Sequence, residues 1–272
     1  MKEIIKKLCK NIEKEKNVKI IFCIESGSRV WRMESKDSDY DIRFVFVRPL
    51  KDYITINKSD DVITAHFDKK GNKMSAEGCY LDFNGFDVFK FSKMLSASNP
   101  TVIEWLQSDI EYYGEKPEVW IDYAEKQFKP ISLYYHYKSM CKQNYLKYLK
   151  SGNLVTYKKY LYAMRGLVNA KYITWDIGLP SISFSDTLTT ILRYQLSGHY
   201  KEIVSNLIME KVWKIISLKR KEKEKQVVQN IVKIDNYIES FLKDDDEAPK
   251  NKRLGTNKDL DDELRKIILN KK

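Results

Sequence analysis

The chain has no Cys-x-x-Cys pair, no internal repeat and no long low-complexity tract. No apolar run approaches the roughly 20 residues that cross a bilayer. Each absence removes a class of protein. Four cysteines (Cys9, Cys23, Cys79, Cys141) and three histidines (His66, His136, His199) lie far apart in the sequence. That spacing argues against a zinc site and fits reduced, mostly buried thiols of a cytoplasmic protein. The early lysines Lys2, Lys6 and Lys7 are interrupted by Glu3, and no apolar signal core follows. Neither export nor membrane association is expected.

What is present is a globular composition: 272 residues, 43% hydrophobic and 12% aromatic, enough for one large or two modest domains. The net charge is +11. An excess of that size attracts anions, whether a nucleoside triphosphate, RNA or another nucleic acid. A plain basic surface accounts for it equally well. Ile4, Ile5, Leu8 and Ile12 recur at helical spacing, so residues 2–16 read as an amphipathic helix lying on the sheet that follows. Residues 18–24 and 40–48 read as strands, and Pro49 stops the second. Residues 60–68 and 78–87 read as two more strands around a polar turn, before helical patterns at 88–97 and 101–107. From about 117 the pattern is helical throughout, with apolar stripes over 133–149 and 157–168. The expected class is therefore α+β, a mixed sheet with flanking helices over 1–115, followed by an all-α region over 116–242. Residues 243–272 read as a linker and a terminal amphipathic helix.

The chemistry concentrates at Gly27-Ser28 and Asp39-Tyr40-Asp41, the latter at the head of the apolar strand 42–47. Side chains alternate along a strand, so Asp39 and Asp41 point the same way, with Cα atoms about 6.5–7 Å apart. Like charges that close repel unless a cation sits between them. Magnesium suits this task, with manganese as a substitute, because it takes few protein carboxylates and fills its shell with water and phosphate oxygens. Gly27 lets backbone approach a phosphate, and Ser28 offers a hydroxyl. Arg43, two residues beyond Asp41, shares its face and can offset carboxylate charge or touch phosphate. Arg29 lies near the same pocket in sequence.

A two-metal phosphoryl-transfer site needs one more acid from a neighbouring strand. The segment 80–88 offers two, Asp82 and Asp87. Asp87, between apolar neighbours at the end of the segment, is the favoured one and Asp82 its rival. Asp39, Asp41 and Asp87 then hold the metal and carry catalysis. Gly27 and Ser28 hold the β- and γ-phosphates, an acceptor hydroxyl attacks the α-phosphorus, and pyrophosphate leaves.

These residues resemble the DNA polymerase β-like nucleotidyltransferase superfamily, and within it the RNA-ligase-associated branch. The resemblance rests on Gly27-Ser28-Arg29 through Ser38-Asp39-Tyr40-Asp41-Ile42-Arg43-Phe44, on Asn84-Gly85-Phe86-Asp87, and on Ser98-Asn99-Pro100 through Glu104-Trp105-Leu106. Tyr135-His136-Tyr137 and Lys158-Lys159-Tyr160-Leu161-Tyr162 with Arg165 extend it. The chain departs from the branch at Val30-Trp31-Arg32, which replaces a small residue, Tyr and Gly. It also has Phe86 for Trp, and Phe89 for a basic residue. The resemblance implies a nucleotidyltransferase-type fold, magnesium, and a nucleoside triphosphate donor such as ATP; the acceptor is RNA, a small molecule or a protein.

In the helical half, Lys158 and Arg165 share a helix face with Lys159 to one side. They are candidates to grip a triphosphate, against the alternative of solvated cations beside a tyrosine-rich core. His136 is a candidate phosphate or base contact, or else a core histidine bonded to a tyrosine. The mixed-sign run over residues 219–225 reads as a solvated helix face. The competing function is a non-catalytic nucleic-acid-binding protein or an accessory subunit in RNA repair. Clustered acids argue against it, since a binder of anions gains nothing from them.

Overall fold

The computed structural model describes residues 1–152, 155–198, 201–221, 227–244, 248–249 and 256–269. The chain divides into two units: Met1–Val30 with Asp39–Phe128 and Arg253–Lys272, and Trp31–Ser38 with Lys129–Lys252. This division differs in three ways from a simple split near residue 115. The first unit runs on to Phe128, the segment 31–38 belongs to the helical unit, and the terminal helix belongs to the first.

The first unit opens with α1 (Lys2–Lys16), β1 (Lys19–Ser26) and the short α2 (Gly27–Val30). It continues with β2 (Tyr40–Val47), α3 (Leu50–Tyr53), β3 (Val62–Phe67) and β4 (Leu81–Asp87). Then come α4 (Val88–Ser96), α5 (Pro100–Gln107), β5 (Glu111–Gly114) and α6 (Glu118–Lys126). The sheet order is β3-β4-β2-β1-β5. β2 and β4 run parallel, and the other pairs antiparallel. The mixed sheet with flanking helices is thus the expected α+β architecture.

The apolar stripe of α1 (Ile5, Leu8, Cys9, Ile12) joins Ile42, Phe44, Phe46, Leu81 and Phe83 in one buried core. A second aromatic cluster joins Phe22, Phe91, Trp105 and Trp120, with Phe22 and Phe91 edge to face at 5.7 Å. Each buried aromatic side chain of this size stabilises by roughly 2–3 kcal/mol through area alone. Phe86, where the branch usually has Trp, stacks on Trp105 at 4.6 Å. Asn99 accepts a hydrogen bond from the Thr101 amide and Pro100 occupies the first turn, so Ser98-Asn99-Pro100 ends α4 and starts α5 together.

The helical unit comprises α7 (Pro130–Asn144), a π-helical turn (Tyr145–Leu149) that extends it, and α8 (Tyr157–Ile173). It continues with α9 (Phe184–Leu196), α10 (Asn206–Lys221) and α11 (Val232–Lys243). A Cβ on Gly166 of α8 would stand 2.7 Å from the Tyr137 carbonyl oxygen and 2.8 Å from the Cys141 nitrogen, so the glycine lets α7 and α8 meet at backbone distance. Burial pushes the Cys141 thiol beside it up to about 12. The final helix, α12 (Lys258–Ile268), packs on α6 and α4 in the first unit. Most of the expected linker after residue 243 lies outside the described residues.

Lys219 overturns part of the solvated-face reading. It is 2% exposed, and its Nζ donates to the Met33 carbonyl. Arg220 donates to the Arg32 carbonyl at 2.8 Å. α10 therefore holds the segment 31–38 by its backbone oxygens, a task that needs long cationic side chains rather than solvated ones. Residues 222–225 of that run lie outside the described residues. Among the described residues, no helix is long and apolar enough to cross a membrane.

Candidate active site

β1 delivers the chain to Gly27, whose φ of 66° lies in the left-handed region. A Cβ there would meet Asp41 Oδ2 at 2.0 Å. Glycine is required for both reasons, so the Gly27–Asp41 spacing read from the sequence is a packed contact. Ser28 is buried at the start of α2. Arg29 donates through Nε to the Asp39 carbonyl at 3.1 Å, and its guanidinium lies 3.8 Å from the Tyr40 ring centroid. It thereby ties α2 to the residues that lead into β2. Asp39 itself stands exposed just ahead of the strand.

In the parallel pairing of β2 with β4, Asp41 lies directly opposite Asp82, while Asp87 lies opposite Phe46. Arg43 bridges the first two acids, with Nη2 at 2.9 Å from Asp41 Oδ1 and 3.1 Å from Asp82 Oδ2. Its other terminal nitrogen donates to the Asp82 and Ile42 carbonyls at 2.8 and 3.0 Å. Burial, and then the negative charges of Asp82, Asp39 and Asp41, hold the Cys79 thiol above its ordinary value. Asp41 and Asp82 face each other across β2 and β4, with Asp39 two residues ahead of Asp41, and carboxylate oxygens are the donors that a hard divalent cation takes.

The expectation for Asp87 is corrected. Asp87 is the N-cap of α4, accepting from the Phe89 amide at 2.9 Å and from the Tyr53 hydroxyl at 2.8 Å. Burial raises its pKa. It lies five residues past Asp82, about 16 Å along a strand, and the structure does not bring it to Asp41. The signal was legible: an Asp directly before an apolar helical run is an N-cap pattern.

Glu25 is a site residue that the sequence reading missed. It is fully buried, and its carboxylate accepts from the Asp41 amide at 2.9 Å and from the Tyr112 hydroxyl at 2.7 Å. Desolvation raises its pKa to about 7, against the lowering effect of those two hydrogen bonds. Glu25 fixes the backbone that carries Asp41. Its only sequence signal is a charged residue at the end of an otherwise apolar strand.

His136, Lys158, Lys159 and Arg165 belong to the helical unit. Arg165 is 2% exposed and lies 4.2 Å over the Trp31 ring, so it is a buried cation held by an aromatic face. Trp31 also meets Tyr162 edge to face at 5.4 Å. Lys158 stands 5.7 Å from the Tyr162 ring and Lys159 3.6 Å from that of Tyr148. His136 is half-buried, edge-on to Tyr137. Arg32, where the branch usually has Gly, adopts a left-handed φ of 57°, so the unusual Val30-Trp31-Arg32 turn keeps a glycine-like backbone.

The model of the RNA repair pathway DNA polymerase beta family, RlaP, matches residues 1–266. The uncharacterized protein YcgL of Bacillus subtilis (strain 168) is 31% identical over 272 residues, covering 99% of this chain and 96% of that protein. Family match, mixed sheet and the Gly27–Asp41 motif agree: the chain belongs to the RNA repair pathway DNA polymerase beta family.

Proposed function

We propose that the protein is a magnesium-dependent nucleotidyltransferase that moves an NMP from an NTP to a hydroxyl acceptor, with release of pyrophosphate. The observation that carries this reading is the pairing of Asp41 with Asp82, with Gly27 stripped of any side chain against the Asp41 carboxylate. Asp39, Asp41 and Asp82 are the residues that would hold magnesium, or manganese in its place. When bound there, the cation supplies charge neutralisation for the triphosphate and eases deprotonation of the acceptor hydroxyl.

The chain's own residues do the positioning. Glu25 and Tyr112 set the backbone of Asp41. Arg43 keeps Asp41 and Asp82 together without neutralising the whole cluster. Gly27 and Ser28 stand where a triphosphate would pass the carboxylates. The acceptor oxygen forms its bond to the α-phosphorus as the bond to the pyrophosphate oxygen breaks, and the hydroxyl proton leaves toward the acid cluster, with Asp82 as its acceptor. RNA suits the acceptor side, given the charge of +11 and the RNA-repair description of the family.

The test is a transfer assay with the purified chain, magnesium, each α-labelled NTP, and pooled RNA or lysate as acceptor. Label should transfer with wild type and with Asp87→Ala, and be lost with Asp41→Asn and Asp82→Asn. Transfer that survives Asp41→Ala and Asp82→Ala overturns the site. Tight RNA binding with no transfer to any acceptor would favour a non-catalytic RNA-binding role.

A further inference from the structure

The fold gathers three residues that the sequence scatters. We propose that His66, Cys79 and Asp82 form a site for a thiophilic divalent cation of the zinc class, and that this cation opposes nucleotidyl transfer by taking up Asp82. The binding stands by itself; the opposition rests on the transfer reading above.

One donor atom from each residue, a ring nitrogen, a sulfur and a carboxylate oxygen, lies within 4.8 Å of the other two. Backbone structure fixes all three. His66 and Asp82 are direct partners across the antiparallel β3–β4 pair, so their side chains leave the same face of the sheet. The intervening turn folds back on β3. The Met74 amide donates to the His66 carbonyl at 3.0 Å and the Tyr80 amide to the Phe67 carbonyl at 3.0 Å, which lays Cys79 beside His66. Asp82 divides its two oxygens. Oδ2 meets Arg43, and Oδ1 stands 3.1 Å from His66 Nδ1. That nitrogen is buried and makes no hydrogen bond. Nδ1 thus faces a carboxylate oxygen without hydrogen-bond geometry, and a shared cation would use the lone pairs of both.

The donor set selects the cation. Zinc takes sulfur, imidazole nitrogen and carboxylate oxygen in tetrahedral sites at about 2.0–2.3 Å, and three protein ligands leave one position for water. Tetrahedral donors at those lengths stand roughly 3.3–3.8 Å apart; the His66–Asp82 contact of 3.1 Å is already that close, and the Cys79 sulfur, within 4.8 Å of both, has at most about 1.5 Å to close. Magnesium prefers oxygen and has no use for the thiol. Binding releases the Cys79 proton to solvent, and the imidazole enters neutral. Because Asp82 also faces Asp41, occupation of one site withdraws an oxygen ligand from the other.

The test titrates the full-length chain with cobalt(II) chloride, a spectroscopic substitute for zinc. A thiolate-to-cobalt charge-transfer band should appear, be displaced by zinc, and vanish in Cys79→Ser. His66→Gln should weaken cobalt by more than the roughly tenfold that loss of even an outer-shell partner costs. Absence of the band in wild type, or an unchanged band in Cys79→Ser, overturns the site. A second arm adds zinc to the transfer assay at fixed magnesium, where Cys79→Ser should need at least about tenfold more zinc for half-inhibition. Equal sensitivity overturns the opposition. A Cys79-dependent cobalt band in a protein without transfer activity supports the site and overturns the transfer reading, and the opposition with it.

Discussion

Asp82 and Asp87 stand at the two ends of one strand, and they are held by different chemistry. Asp82 faces a guanidinium, an imidazole and a second carboxylate. Asp87 faces a helix amide and a phenol hydroxyl. The first set leaves negative charge to be matched by a cation. The second uses the carboxylate fully, as a cap that favours the α4 N-terminus. Residue type and apolar neighbours are alike at both positions. Strand register is what differs, because five residues is an odd step that sends side chains to opposite faces.

The largest expected effects test that contrast directly. Asp82→Asn should cut kcat for nucleotidyl transfer by about 10³-fold or more, with a thermal midpoint close to wild type. Asp87→Ala should leave kcat within about twofold. Rates that fall for Asp87→Ala and not for Asp82→Asn would reverse the assignment. Gly27→Ala should come next. Its Cβ displaces the Asp41 carboxylate and strains a left-handed backbone, so transfer should drop by about 10²-fold, with a stability loss of about 1–2 kcal/mol by denaturant titration.

Glu25 separates the acid end of β2 from the capped end of β4 by pH. Its pKa in the fold is about 7, raised from 4.5. The folded state therefore binds more protons than the unfolded chain between those values, and stability falls as pH rises through that window. The full effect for an isolated group is about 3 kcal/mol. Thermal unfolding in chelator from pH 4.5 to 8 should show the midpoint falling in wild type and nearly level in Glu25→Gln. An amide can still accept from the Asp41 amide and donate to Tyr112, so a variant with the wild-type slope would remove Glu25 from this account. The smallest effect is at the capped end, where Asp87→Ala should cost about 1–2 kcal/mol through loss of the cap and of the Tyr53 partner. A denaturation midpoint equal to wild type would show that the cap contributes nothing.

The legible part of this chain is local. Apolar periodicity marked α1, β1, β2 and the helical half, and the turn chemistry of Ser98-Asn99-Pro100 marked the α4–α5 junction. Gly27, Asp41 and Arg43 were legible because alternation along one strand and one close glycine contact fix them. The illegible part is non-local. Glu25 acts on Asp41 across sixteen residues, Lys219 on Met33 across most of the chain, and Cys79 reaches His66 through the return of a turn.

The sequence by itself determined the types of elements, the glycine-carboxylate motif and the excess of positive charge. Only the tertiary structure decided which later aspartate joins Asp41, that Glu25 supports it, and that an imidazole and a thiol border the same carboxylate. The reason is that hydrophobic pattern and local torsional preference act over a few residues, whereas strand register is set by side chains packing across the sheet. A carboxylate's role follows from the partners that register brings to it.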